Sequence, residues 1–244
     1  MKRALGGMLR VGVAVLALGG ARPASGQAKD AGDYFGTGPQ RDLAEAAAAG
    51  RLPQIKQALA AGAKIDAQGQ DGMTVLIWAM ANENKRGVQA LLKAGANPNL
   101  QTVDGDSAMG YAAMNDDAGY LDALLKSGGN PNLVNPNTSE TVIFESIRRS
   151  LLKQVQLLIA AHADLNCRDR NGATPVLAAA SAGQCKLVHA MLAAGADPTV
   201  KDDAGHTVLY YVMRNEAEPG SDESGWRTKV IALLQAKGVT AGGD

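Results

Sequence analysis

The sequence predicts an all-α solenoid built from helix-turn-helix units, and three observations carry that expectation. Thr74, Ser107, Thr141, Thr174 and Thr207 open similar segments and stand 33, 34, 33 and 33 residues apart. A small-residue step follows the first four after a constant interval: Gly95-Ala96, Gly128-Gly129, His162-Ala163 and Gly195-Ala196. Between these marks lie two short apolar stretches, each with helical spacing. A period of this length belongs to stacked helix pairs, none of which buries its apolar face alone.

The chain opens with Met1, Lys2, Arg3 and Arg10, followed by an apolar run from Val11 to Gly20 and small residues through Ala28. This is the charged, apolar and small-residue order of a secretory signal, with cleavage expected after Gly26 or Ala28 and a periplasmic or secreted destination. The run is too short for a membrane span, which needs about 20 apolar residues. Residues 29–39 are expected to be a linker. A capping unit, 40–67, then supplies an alanine-rich helix, Gly50, a second helix and Gly62-Ala63.

Repeats are assigned to 68–100, 101–134, 135–167 and 168–200. The repeat at 168–200 is the most regular. Thr174 stands at a helix N-cap with Pro175 in the first turn, where a missing N–H costs nothing. Ala179 and Ala180 let a neighbouring helix approach, and Gly183 ends the first helix in the left-handed region. Leu187, Val188, Met191 and Leu192 form the apolar stripe of the second helix. In the repeat at 135–167, His162 replaces the helix-ending glycine, and one extra residue lengthens the turn around Asn137. The last repeat, 201–239, is irregular: its Gly238 lies 31 residues after Thr207. An inserted loop is expected at 216–227, followed by a closing helix over Thr228–Ala236 and a tail at 240–244.

Within 168–200, the run Asp169-Arg170-Asn171-Gly172-Ala173-Thr174-Pro175-Val176-Leu177, ending at Gly195-Ala196, resembles the ankyrin repeat. The resemblance covers about residues 40–239 and implies an ankyrin-repeat solenoid with short β-hairpin fingers, working as a monomer that binds a protein. In ankyrin arrays the first helices and finger tips line a concave binding face. The outward position of each first helix reads Trp78, Tyr111, Glu145, Ala178 and Tyr211. Three of the chain's nine aromatic residues therefore share this row. Met114, Arg148, Arg149 and Arg214 follow three or four residues later. Aromatic anchors beside arginines suit a protein partner that presents carboxylates. The competing reading packs the rings sideways and pairs the arginines with Glu145, Glu216 or Glu218. Tip residues Gln70, Met73, Val103, Asp106, Ser139, Glu140, Arg170 and His206 complete the expected contact surface. Phe144, Tyr210, Met80, Met109 and Met213 are expected to pack in the core.

Other function classes find no support. The whole chain balances 24 basic against 24 acidic residues, and loss of the four bases before residue 29 leaves a net charge of −4. Nucleic-acid binding needs a basic face. Cys167 and Cys185 fall at opposite edges of consecutive repeats, too far apart for a disulfide, which needs Cα atoms within about 7 Å. The histidines are scattered, Gly36-Thr37-Gly38 is too short for a phosphate loop, and no nucleophile–base pair is readable, so neither a catalytic site, a metal nor a cofactor is expected. Asn137-Thr138-Ser139 matches a glycosylation acceptor. Residues 33–40, the irregular last unit and Trp226-Arg227-Thr228-Lys229 look like features of exported proteobacterial ankyrin proteins. Some of these are thought to neutralise secreted phospholipase toxins as periplasmic immunity proteins, although many carry a lipobox cysteine that is absent here. Others appear among helpers that stabilise periplasmic enzymes, for example in peroxide defence.

Overall fold

A computed structural model describes residues 30–215 and 218–239. The expected signal segment, the tail and residues 216–217 lie outside the described residues. The chain divides into two compact units, with the boundary at Ala96/Asn97.

The first unit holds α1 (Ala31–Phe35), α2 (Pro39–Ala48), α3 (Leu52–Ala60), α4 (Val75–Ala81) and α5 (Lys85–Lys93), with a single 3-10 turn at Gln70–Gly72. The segment expected as a linker contains a helix, because Asp30 caps it. The Asp30 carboxylate accepts from the Gly32 and Asp33 N–H groups, and Asp33 returns a bond to the Asp30 N–H (2.7 Å). This reciprocal box satisfies donors that a five-residue helix would otherwise leave open. α1 then buries Tyr34 and Phe35. Gly69 permits that contact: a Cβ there would lie 2.2 Å from the Tyr34 carbonyl oxygen. Leu43, Ala44, Ala47, Ile55, Leu76, Ile77, Val88 and Leu91 form the core beneath.

The second unit repeats one motif four times: α6 (Ala108–Ala113) with α7 (Ala118–Lys126), α8 (Val142–Arg148) with α9 (Leu152–Ala160), α10 (Pro175–Ser181) with α11 (Cys185–Ala193), and α12 (Val208–Arg214) with α13 (Asp222–Ala236). The expected fingers are tight turns rather than strands, joined by isolated antiparallel bridges at Gln101–Ser107 and Val134–Thr141. Their closing bonds run from Thr102 N–H to Asp106 O, Asn135 N–H to Glu140 O, Asp169 N–H to Ala173 O and Asp202 N–H to His206 O. Only the second spans an extra residue, which accounts for the 34-residue step.

Polar side chains tie each repeat to the next in two rows. At the finger edge, Asn99 Oδ1 accepts from the Asn130 N–H (2.7 Å), Asn132 Oδ1 from Asp164 (2.7 Å), and Asn166 Oδ1 from Asp197 (3.0 Å). At the other end of the first helices, Ser146 donates to the Ala113 carbonyl (2.8 Å), Gln184 to Ile147 (2.9 Å) and Asn215 to Ala180 (2.8 Å). These are carbonyls that a helix C-terminus leaves without intrahelical donors.

Three expectations need correction in the last repeats. The inserted residues lengthen a helix more than they make a loop, since α13 starts at Asp222. Ser221 caps it by accepting from the Ser224 N–H (3.1 Å), and Asp222 and Glu223 suit its positive end. The extra turns are anchored: Glu223 accepts from the Cys185 N–H at the start of α11, and Arg227 Nε donates to the Val212 carbonyl (2.8 Å). Tyr210 and Met213 are 38% and 49% exposed, not core residues. Thr174 holds the N-cap position of α10, but its buried hydroxyl makes no capping bond to the protein, unlike Thr74, Ser107 and Thr207.

Both cysteines are free. Cys185 is buried, and burial together with the Glu223 carboxylate pushes its thiol up to about 11. The half-buried Cys167 donates its S–H to the Asp164 carbonyl (3.2 Å) and lies 3.4 Å from Thr141 Oγ1.

Candidate protein-binding surface

The two units treat the expected contact row differently. In the first unit Trp78 is only 5% exposed, because the Tyr34 ring of α1 lies 5.5 Å from it. An indole closed over by α1 cannot serve as an exposed anchor, so Trp78 is removed from the contact set.

In the second unit, α6 and α8 with their fingers enclose a groove of about 30 Å³, room for roughly one water molecule at its base. Tyr111, Met114 and Glu145, all expected contact residues, line it together with Gln101, Asp106 and Glu140. The fingers hold the groove in shape. Gln101 Nε2 donates to the Gly105 carbonyl in its own finger (3.2 Å) and to the Val134 carbonyl in the next (3.0 Å). Gly105 turns through a φ of +79°, a conformation that favours glycine, and a Cβ there would lie 2.4 Å from Asn135 Oδ1 and displace that side chain.

The charge of this groove is opposite to the expected one. Arg148 is gripped by two carboxylates, Glu140 Oε2 at 2.7 Å and Glu145 Oε1 at 2.6 Å. Glu140 reaches it from the finger, and Glu145 lies one turn earlier on α8. Asp106 adds a third acid to the lining, with Asp104 beside it in the finger. Partial burial, then repulsion from Asp104 and Glu145, raises the Asp106 carboxyl above its ordinary range. One arginine against the three carboxylates of the lining leaves a wall that favours cationic and hydrogen-bond-donating groups. Arg149 makes only a long, exposed pair with Asp116 (3.5 Å), which contributes little.

Tyr211 and Arg214 do not line this groove; they belong to a separate cluster on the last repeat. Tyr211 Oη donates to Asp202 Oδ2 (2.7 Å) and lies 3.3 Å from His206 Nδ1. The His206 ring stacks on Tyr210 at 3.9 Å, nearly parallel. Arg214 sits 5.9 Å over the Tyr210 ring and donates to its hydroxyl (3.1 Å). The bond to Asp202, reinforced by burial, pushes the Tyr211 phenol up to about 12. Burial opposes ionisation of Asp202, but the Tyr211 hydroxyl and the His206 and Ala204 amides together hold its carboxyl below the usual range.

Sequence reasoning missed Gln101, Asn135 and the asparagine row. Their signal was present as a period: Gln68, Gln101 and Arg168 recur in register, each donating to the carbonyl four residues on. Among the described residues no group of three or more His, Cys, Asp or Glu could hold a metal, and no helix is long and apolar enough to cross a membrane.

Comparison with known proteins accords with this architecture. A family model described as ankyrin repeats (3 copies) matches residues 43–135, 111–202 and 143–221. Two solved structures superpose over 80% of this chain and 97% of their own. One is EF0377, an ankyrin repeat protein (TM-score 0.67, 24% identity); the other is an ankyrin repeat domain from Acinetobacter baumannii AYE (TM-score 0.68, 29% identity). Shorter matches join the chain to the mitochondrial disaggregase of Bos taurus, 35% identical over 69 residues, and to the transient receptor potential cation channel subfamily A member 1 of Drosophila melanogaster, 41% identical over 61 residues. These cover 28% and 25% of this chain but 10% and 5% of the relatives, so the likeness is one of repeats, not of whole proteins. Ankyrin arrays are protein–protein interaction modules, typically non-enzymatic. By the extent of the family match and the repeated helix pairs, this chain belongs to the ankyrin repeat family.

Proposed function

We propose that the chain is an exported protein-binding module that engages its partner at the groove between α6 and α8, and that it serves as a periplasmic immunity protein against a secreted antibacterial lipase. One observation carries the choice of site: Tyr111 and Met114 stand partly open beside a wall where Arg148 is outnumbered by Asp106, Glu140 and Glu145. An aromatic anchor within an acidic rim is suited to a basic loop, such as one bordering an enzyme's substrate entrance. Export is supported by the charged and apolar N-terminal segment, and the lipase by resemblance to exported proteobacterial ankyrin proteins.

The test is calorimetric titration of the chain from residue 29 onward with a secreted lipase, chosen from any encoded next to its gene, followed by lipase assay. Inhibition at equimolar ratio is expected, with Tyr111→Ala weakening binding by about 2 kcal/mol, mostly through faster dissociation. Binding that raises the partner's abundance without inhibiting it would instead identify a stabilising helper. Unchanged affinity of a Tyr111→Ala/Glu145→Lys variant would remove the groove from the contact.

A further inference from the structure

The second helices of the first unit, α3 and α5, enclose another groove, of about 260 Å³. Leu52, Ile55, Lys56 and Leu59 of α3 line one wall at i, i+3, i+4 and i+7, the spacing that places residues on one helix face. Ala90 and Lys93, with Ala94, form the other. Leu52 stays 40% exposed at the rim while Ile55 is buried at the floor. The charge is one-sided. Arg51, Lys56, Lys85, Arg86 and Lys93 stand on these helices or at their caps, and neither helix carries an acid. A basic-rimmed apolar groove is out of character for a chain whose residues from 29 onward are net acidic.

We propose that this groove is a second docking site, for an acidic amphipathic helix of a protein partner. The charge selects the partner's sign: apolar side chains at i, i+3, i+4 and i+7 fill the recess, and flanking Glu or Asp residues meet Lys56 and Lys93. The recess selects a helix over a lipid surface. Interfacial binding uses apolar side chains that protrude into the headgroup region, whereas Ile55 lies at the bottom of the groove. The site is independent of the reading given to Tyr111 and its neighbours.

A displayed library of helices of about 18 residues, five turns, with apolar residues fixed on one face and the rest randomised, would be sorted on the purified chain. Selected peptides would then be measured by fluorescence anisotropy. Acidic residues should be enriched over basic ones. Affinity should fall about tenfold or more in Lys56→Glu/Lys93→Glu and as salt rises from about 50 to about 300 mM, as a screened charge contact requires. Leu52→Glu should weaken binding as well, Tyr111→Ala should leave it unchanged, and circular dichroism should confirm that each variant is folded. Failure to enrich any peptide, enrichment without acids, or equal binding to the folded Lys56→Glu/Lys93→Glu variant would overturn the proposal. So would sedimentation with phosphatidylglycerol vesicles in place of peptide binding, which would assign the face to lipid.

Discussion

The repeats at 168–200 and 201–239 begin with the same register but meet different neighbours. Leu177 and Tyr210 occupy equivalent positions, yet Leu177 is 1% exposed and Tyr210 38%. Ala180 is buried where Met213 is open. In the earlier repeat these positions are sealed by the helix pair that follows; after α12 no further pair follows among the described residues. Burial in an array is therefore a property of the interface between repeats, not of the repeat that owns the residue.

The sharpest test compares equivalent truncations. Leu177→Ala is expected to lower stability by about 2–5 kcal/mol, as large-to-small changes in closed cores do, while Tyr210→Ala should cost well under half of that. Urea denaturation followed by circular dichroism would measure both; equal losses would mean that the end of the array is sealed after all. Next comes the cap that the last repeat lends to the one before it. Gln184 stands at the N-cap of α11 but makes no capping bond with its side chain, and the Cys185 N–H has the Glu223 carboxylate as its side-chain acceptor. Glu223→Ala should lower stability by about 1–2 kcal/mol, the range for a lost N-terminal cap. No change would reduce the inserted turns to passive length.

The smallest effect sets the repeat at 135–167 against its neighbour. Ser150 and His162 hold positive φ (55° and 62°) where Gly183 and Gly195 stand one repeat later. Side chains are strained in that region, so His162→Gly should raise stability by about 0.5–1 kcal/mol, visible as a higher thermal midpoint, while Ser150→Gly should gain less because it also removes the hydroxyl that accepts from Gln184. A drop in either variant would mean that the side chain makes a contact worth more than the strain.

The period, the helix boundaries and the role of His162 as a helix-ending residue were legible because backbone geometry is local: a left-handed residue is needed every 33 residues, whatever lies nearby. The length of α13 was not. A run containing Pro219, Gly220 and Gly225 reads as a loop, and only docking of Glu223 and Arg227 onto neighbouring helices turns it into two more helical turns. The groove was half legible. Register alone grouped Tyr111, Met114 and Glu145. It could not reveal that Tyr34, far earlier in the chain, covers Trp78. The pairing of Arg148 with Glu145 was legible as the competing reading, but that Glu140 joins it and reverses the expected charge was not, because that depends on how a finger folds back toward a helix.

The asparagine row at the finger edge carries a mechanical consequence. Hydrogen bonds are short and directional, and weaken steeply once donor and acceptor separate or tilt, whereas apolar side chains can slide while keeping much of their contact. Asn99, Asn132 and Asn166 therefore set the spacing of successive fingers within the second unit more tightly than apolar contacts would. Bending under load should open at the second helices, leaving the finger pitch, and with it the mouth of the groove beside Tyr111, at constant width.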